Sequence, residues 1–449
     1  MEGSGRSLVL IVVASLAAAA TGCVRSGGAP ADASHSLERM NRAAERYVKL
    51  ILAAGAHDAD LVDAFYGPKE WRQEAEASRR PLAELRGEAD ALTEEVLRIP
   101  AQTDEMLELR RRYLSRQLDA VNARMRIRGG ERLSFDAESR ALYDAVAPML
   151  PDDHFLRLQA QLEGELPGAG PLAERYEAFR NRFLIPRDKL DAVFEAAIAG
   201  CRERTKPHLE LPAGETFRVE YVTGKTWSAY NWYQGGFASL IQVNTDLPIS
   251  IDRAIDLACH EGYPGHHVYN VLLEEHLVRD RGWMEFSVYP LFSPQSLIAE
   301  GSANFGIEVA FPGAERVAFE KARLYPLAGL DASQAEKYGR VQDLVDRLSY
   351  AGNEAARRYL DGKIDGKAAA DYLVRYGLWP RARAEQRVRF MDQYRSYVIN
   401  YNLGKDLVRM HIEALGGTPD RPEKRWEEFK KLLASPRLPS GLHGGVGIS

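Results

Sequence analysis

His260-Glu261-Gly262-Tyr263-Pro264-Gly265-His266-His267 gathers three of the chain's ten histidines into one run and sets a glutamate directly after the first. Imidazole is the commonest protein ligand for Zn²⁺, and a carboxylate beside a ligating His is placed to act as general base on water at the metal. The usual form of this device is H-E-x-x-H, with its two His one helical turn apart. Here the second His arrives late, at +6 or +7. On a regular helix a +6 step points about 240° away, and a +7 step lies about 10.5 Å along the axis, beyond the reach of two bonds of about 2.0 Å to one ion. Pro264 clashes with a continuing helix and Gly265 accepts unusual backbone angles. A local bulge or overwound turn is therefore expected to return either His266 or His267 to the side of His260.

A third ligand is available downstream. Ser293-Pro294 reads as the N-cap and first turn of a helix running through Leu297, Ile298, Glu300, Ala303, Asn304, Ile307 and Glu308. Glu300, Asn304 and Glu308 recur every four residues and share one face. Two His and one Glu, with a fourth vertex left to water, make the ligand set of a catalytic zinc site. Glu308 reads either as a supporting carboxylate or as an exposed one.

These residues resemble a known family. HEGYPGHH, followed by the AEGSANFGIE segment, looks like the "domain of unknown function 885" proteins, whose HExxPGHH and downstream E-G motifs group them with zincin-type metallopeptidases. NWYQGG, IQVNTDLP and the late YNLG are similar to that family too. The resemblance covers roughly Leu37 to Leu433, and its central motif is highly specific. Gly265-His266-His267-Val268-Tyr269 is also similar to the Gly-His-x-x-Tyr run of HExxH carboxypeptidases. That favours His266 as the ligand and leaves His267 a supporting or substrate-contacting role. Ser302-Ala303-Asn304 stands where bulkier residues are usual, a departure that bears on pocket shape more than on metal binding. The resemblance implies a zincin-like, gluzincin-type fold. It further implies an edge strand beside the metal helix, within Ser239 to Asn244, that pairs with an extended peptide.

The N-terminus supplies an address. Arg6, an apolar run from Leu8 to Ala20 and Thr21-Gly22-Cys23 have the form of a bacterial lipoprotein signal. The run is shorter than the roughly 20 residues that span a bilayer. Residues 1–22 are expected to be removed, leaving Cys23 as the lipid-bearing first residue and 23–36, rich in Gly, Ala and Ser, as a flexible tether. The chain is thereby expected at the bacterial envelope, anchored to a membrane. Cys201 and Cys259 remain, too few for a disulfide framework, and spacing does not say whether they pair. Cys259, beside His260, reads as a small buried residue rather than a ligand. A net charge of −5 with 27% charged residues describes an ordinary aqueous surface, and no basic tract points to nucleic acid.

The expected fold is mainly α with one small β-sheet. Leu37, Met40, Ala44, Tyr47 and Ile51 recur at helical spacing, and residues 37–210 read as a helical region in which Pro186, at a first turn, and Gly200, at an exit, bracket one helix. Charged stretches such as Arg110-Arg111-Arg112 read as solvated faces. Residues 211–435 form the expected catalytic region, opening with strands at Phe217–Val222, Trp227–Tyr233 and Phe237–Val243, before Ser250 caps the motif helix. Residues 436–449 are expected to be disordered.

The chemistry that follows is peptide hydrolysis at one Zn²⁺ held by His260, His266 and Glu300, with Glu261 as general base. Tyr401, in the family's Tyr-x-x-Gly position, is expected to donate to the developing oxyanion. Arg395, His267 and Asn244 are the candidate substrate contacts. Two alternatives stand beside this: a non-catalytic envelope lipoprotein that binds metal or peptide, and a hydrolase of non-peptide, cell-wall amides.

Overall fold

The computed structural model describes residues 29–442. The signal segment 1–22, the lipidation position Cys23 and residues 443–449 lie outside the described residues. The chain is mainly helical, with a three-stranded and a two-stranded sheet.

The opening helix runs from Ala29 to Gly55 and so begins inside the expected tether. Its Met40, Ala44, Tyr47 and Ile51 are buried at the predicted spacing, whereas Leu37 is exposed. It packs on the helices Leu82–Leu97 and Glu105–Arg128. Arg110, expected on a solvated face, is instead fully buried. It forms a two-pronged ion pair with the equally buried Glu285 at 2.6 and 3.0 Å and lies over the Trp283 ring at 4.7 Å. Such partners offset the cost of burying a guanidinium. Gly200 is not a helix exit either. It sits within the helix Leu190–Thr205, where Phe319 packs so closely that a Cβ would meet its ring.

Alternating residues from Thr216 onward form β2 (Thr216–Val222), β3 (Ala229–Gly235) and β4 (Ala238–Asn244). The spatial order is β2-β4-β3, with β4 parallel to β2 and antiparallel to β3. Ser239 to Asn244 is therefore the central strand, hydrogen-bonded on both sides. It has no free edge to offer a peptide, which corrects the expected edge-strand role. Two short strands that periodicity does not reveal, β1 (Val62–Phe65) and β5 (Val288–Pro290), pair antiparallel and carry Asp63 toward the site.

Beyond the sheet lie the helices that build the site. Ile251–Leu257 runs into a π-turn at Ala258–Gly262, the chain reverses through Tyr263–Gly265, and a new helix begins at His266. Cys259, in that π-turn, is disulfide-bonded to Cys201 of the Leu190–Thr205 helix. The carboxylate helix, Pro294–Ala310, is buried along almost its whole length, with Ser293 as its N-cap residue and Pro294 at its first turn. It packs on the tyrosine helix, Ile399–Ala414. Gly301 faces Gly404 so closely that a Cβ on either would lie within 3 Å of the other helix's backbone. Of the stretch 436–449, expected to be disordered, residues 436–442 are anchored instead, because Leu438 and Leu442 are buried in the core. Among the described residues no helix is long and apolar enough to cross a membrane.

Candidate metal centre

The late second histidine is brought home by a wider turn followed by a break, not by an overwound one. A π-turn spreads its residues by a wider hydrogen-bond step. The Gly265 N–H then closes the reversal on the Cys259 carbonyl at 2.9 Å. A Cβ on Gly265 would fall 1.9 Å from the His260 carbonyl oxygen and 2.4 Å from that of Cys259. Only glycine fits there. Because those neighbours are backbone and cannot swing aside, Gly265→Ala is expected to destabilise the fold by about 1–3 kcal/mol and to weaken metal binding in the same variant. Thermal melts and a zinc titration check both effects.

This reversal sets the His260 and His266 rings perpendicular, with centroids 4.6 Å apart. Their Nε2 atoms are 3.1 Å apart. Glu300 Oε2 lies 3.2 Å from His260 Nε2 and 3.8 Å from His266 Nε2. These three residues form a cluster able to hold a metal ion, each offering one ligand atom.

The surroundings set the direction of each group. Asn304, one turn after Glu300, donates its amide to the Tyr401 carbonyl at 3.1 Å, which leaves its oxygen to accept from His260 Nδ1 at 3.0 Å. With a proton on Nδ1, His260 turns its Nε2 toward the Glu300 carboxylate. A ring nitrogen and a carboxylate oxygen this close attract each other through a cation between them, either a proton or a metal ion. Tyr397 donates its hydroxyl to Glu300 Oε1 at 2.8 Å, and Glu300 Oε2, though buried, has no hydrogen-bond partner. Burial acts to raise the Glu300 pKa, but the His260 and His266 imidazoles outweigh it and hold the carboxyl well below the usual range. The donor set thus fits a divalent ion such as Zn²⁺. Partners of ligating imidazoles typically contribute 10- to 100-fold in metal affinity. Asn304→Ala is expected to weaken zinc binding by about that factor, as a competitive chelator titration would measure.

Glu261 stands beside the cluster without joining it. Its main-chain carbonyl accepts from the Asn231 amide at 2.7 Å, and its buried Oε2 has no partner. Burial pushes its carboxyl up to about 7. All four residues line one cavity of about 920 Å³, together with Asp63, Tyr230, Arg387, Tyr397 and Tyr401. Burial first, and then the Glu300 charge, raises the Tyr401 pKa well above its ordinary value, so its phenol stays a donor.

Three candidate substrate contacts lie elsewhere. His267 is fully buried between Ser239 Oγ, at 2.9 Å, and Glu215 Oε2, at 3.0 Å. Its ring is spent on joining β4 to the motif. Asn244 donates to the Lys225 and Trp227 carbonyls and accepts from the Asp246 N–H, so it holds a loop. Arg395 bonds Glu138 at 2.7 Å and does not line the cavity. Glu308 pairs with Arg409 at 2.6 Å and with Lys405 at 3.3 Å. Two contributors were readable in principle. Asn304 shares the Glu300 face, and Tyr397 precedes Tyr401 by one turn. Asp63 had no sequence signal, since its strand is short and far from the motif.

No family model matches the chain, so its resemblance to the domain of unknown function 885 proteins rests on the motifs alone. No curated protein matches it either. Among solved structures it is similar to a Colwellia psychrerythraea protein described as a lipoprotein. That pair has 14% identity and a TM-score of 0.46, covering 81% of this chain and 71% of the other. It is also similar to a Shewanella oneidensis protein described as a lipoprotein of unknown function, with 12% identity and a TM-score of 0.42, covering 82% of this chain and 79% of the other.

Proposed function

We propose that the chain is a zinc-dependent hydrolase of peptide bonds on a zincin-like fold, with His260, His266 and Glu300 holding the metal. The observation that carries this is the convergence of two Nε2 atoms and one carboxylate oxygen beside a second, unpartnered carboxylate, Glu261, in a large cavity. A pure metal-holding site has no use for that fourth group. The motif resemblance to zincin-type metallopeptidases points the same way.

Bound zinc would polarise the scissile carbonyl and make water more acidic. The protein's own part follows from its geometry. Glu261 takes the proton of the attacking water on its free oxygen and returns it to the leaving amine. Tyr401 donates to the carbonyl oxygen as negative charge builds there. Tyr397 and Asn304 keep Glu300 and His260 in register throughout.

We further propose that the protein works at the bacterial envelope, lipid-anchored through Cys23. The Cys201–Cys259 bridge supports an oxidising compartment, where disulfides persist. The activity is tested with the full chain on a panel of peptides. Cleavage should vanish on chelation and return with added zinc. Absence of any metal-dependent cleavage across the panel would contradict the reading and favour a binding role.

A further inference from the structure

The arginines that line the cavity fall into two groups. Arg253, Arg316 and Arg409 are matched by carboxylates, at 3.0 Å from Asp256, 2.9 Å from Glu320 and 2.6 Å from Glu308. Arg425 lies 3.9 Å from Glu308, and Arg180 bonds the Ser250 hydroxyl at 3.3 Å. Arg383 and Arg387 are matched by no carboxylate. Both project from the helix Arg381–Tyr394 one turn apart and line the same cavity. Neither has a carboxylate within ion-pair distance among the described residues. Arg387 rests on aromatic faces, 4.5 Å from the Phe390 ring and 5.2 Å from that of Tyr401, and its buried Nε has no hydrogen-bond partner. Arg383 lies 5.6 Å from the Trp379 ring. Burial first, and then the charges of Arg253 and Arg180, lower the Arg383 pKa to about 10.

An unpaired guanidinium in a partly desolvated wall is costly unless an anion arrives to match it. Its position says which anion. Arg387 stacks on Tyr401, whose ring is 5.8 Å from that of Tyr397, and Tyr397 bonds Glu300. The free cation thus lies one ring contact from Tyr401, the donor proposed for the scissile carbonyl, where the terminal carboxylate of a peptide cut at its last bond would fall. A guanidinium fork matches a carboxylate in two parallel hydrogen bonds. It also takes over the substrate-contacting role expected of Arg395, which is bound to Glu138.

We propose that Arg387, assisted by Arg383, binds the free C-terminal carboxylate of the substrate, making the protein a carboxypeptidase that removes residues from peptide C-termini. This rests on the hydrolase reading, but its test does not. Binding of acetyl-Ala-Ala-Phe, its C-terminal amide and acetyl-Ala-Glu-Phe-amide is measured by calorimetry on the full chain carrying Glu261→Gln, with zinc and after chelation. The free acid should bind about 10- to 100-fold more tightly than the amide. Arg387→Met should bring that ratio to about one, and Arg387→Lys should restore part of it. The ratio compares two ligands in one protein, so a general loss of folding does not imitate the result. Equal binding of acid and amide, no binding of either, or a ratio that survives Arg387→Met would overturn the proposal. Tight binding of the internal glutamate peptide, matching the free acid, would overturn its C-terminal assignment. Acid-over-amide preference without hydrolysis by the wild type would keep Arg387 as the carboxylate site but sink the hydrolase reading, and the carboxypeptidase assignment with it.

Discussion

Replacing Glu261 by Gln should reduce peptide hydrolysis by about 10²- to 10⁴-fold while the chain keeps one metal ion. Glutamine preserves the size and burial of the side chain but cannot accept a proton at the position now left without a partner. Glu261 is not among the three residues whose ligand atoms converge, so metal content should not follow activity down. Steady-state rates and metal analysis on the same preparation separate the two. Unchanged turnover would reject Glu261 as the base. Joint loss of metal and activity would move it into the ligand set.

The second large effect concerns the bridge between Cys201 and Cys259, which closes a loop with a sequence separation of 58 residues. In the chain-entropy account a cross-link of that length stabilises the folded state by about 4 kcal/mol. The Cys201→Ala, Cys259→Ala double variant should lose about that much in denaturant unfolding. The bond also ties the π-turn carrying His260 to the Leu190–Thr205 helix. Zinc affinity should therefore fall together with stability. A double variant as stable as the wild type would show that packing alone holds the turn.

How far the chain could be read without its structure depended on whether a signal was local. The three strands and the helix begun by Ser293-Pro294 came from periodicity and capping, and both survive within a few residues. The edge strand failed because strand order is not written in a strand's own sequence. Ser239 to Asn244 alternates equally well at an edge or in the middle. Arg110 failed for a related reason. A charged triplet looks solvated until a distant Glu285 and Trp283 close over one member. His260 and Glu300 lie 40 positions apart in numbering, yet both were nameable because each sits in a motif with its own chemistry. Asp63 and Arg387 carry no such mark and become visible only when the helices and β1 are packed around one cavity. The odd spacing between His260 and His266 pointed to a bent backbone. Which bend was chosen depended on contacts between Gly265 and the carbonyls behind it, which spacing does not encode.

The decisive observation is an anomalous-scattering map from crystals of the zinc-loaded chain. A single strong peak is expected about 2.0–2.2 Å from His260 Nε2, His266 Nε2 and a Glu300 oxygen, with Glu261 facing the vertex that remains. A peak beside His267 and Glu215, or no peak with the His260 and His266 rings turned apart, would contradict the metal site and the chemistry built on it.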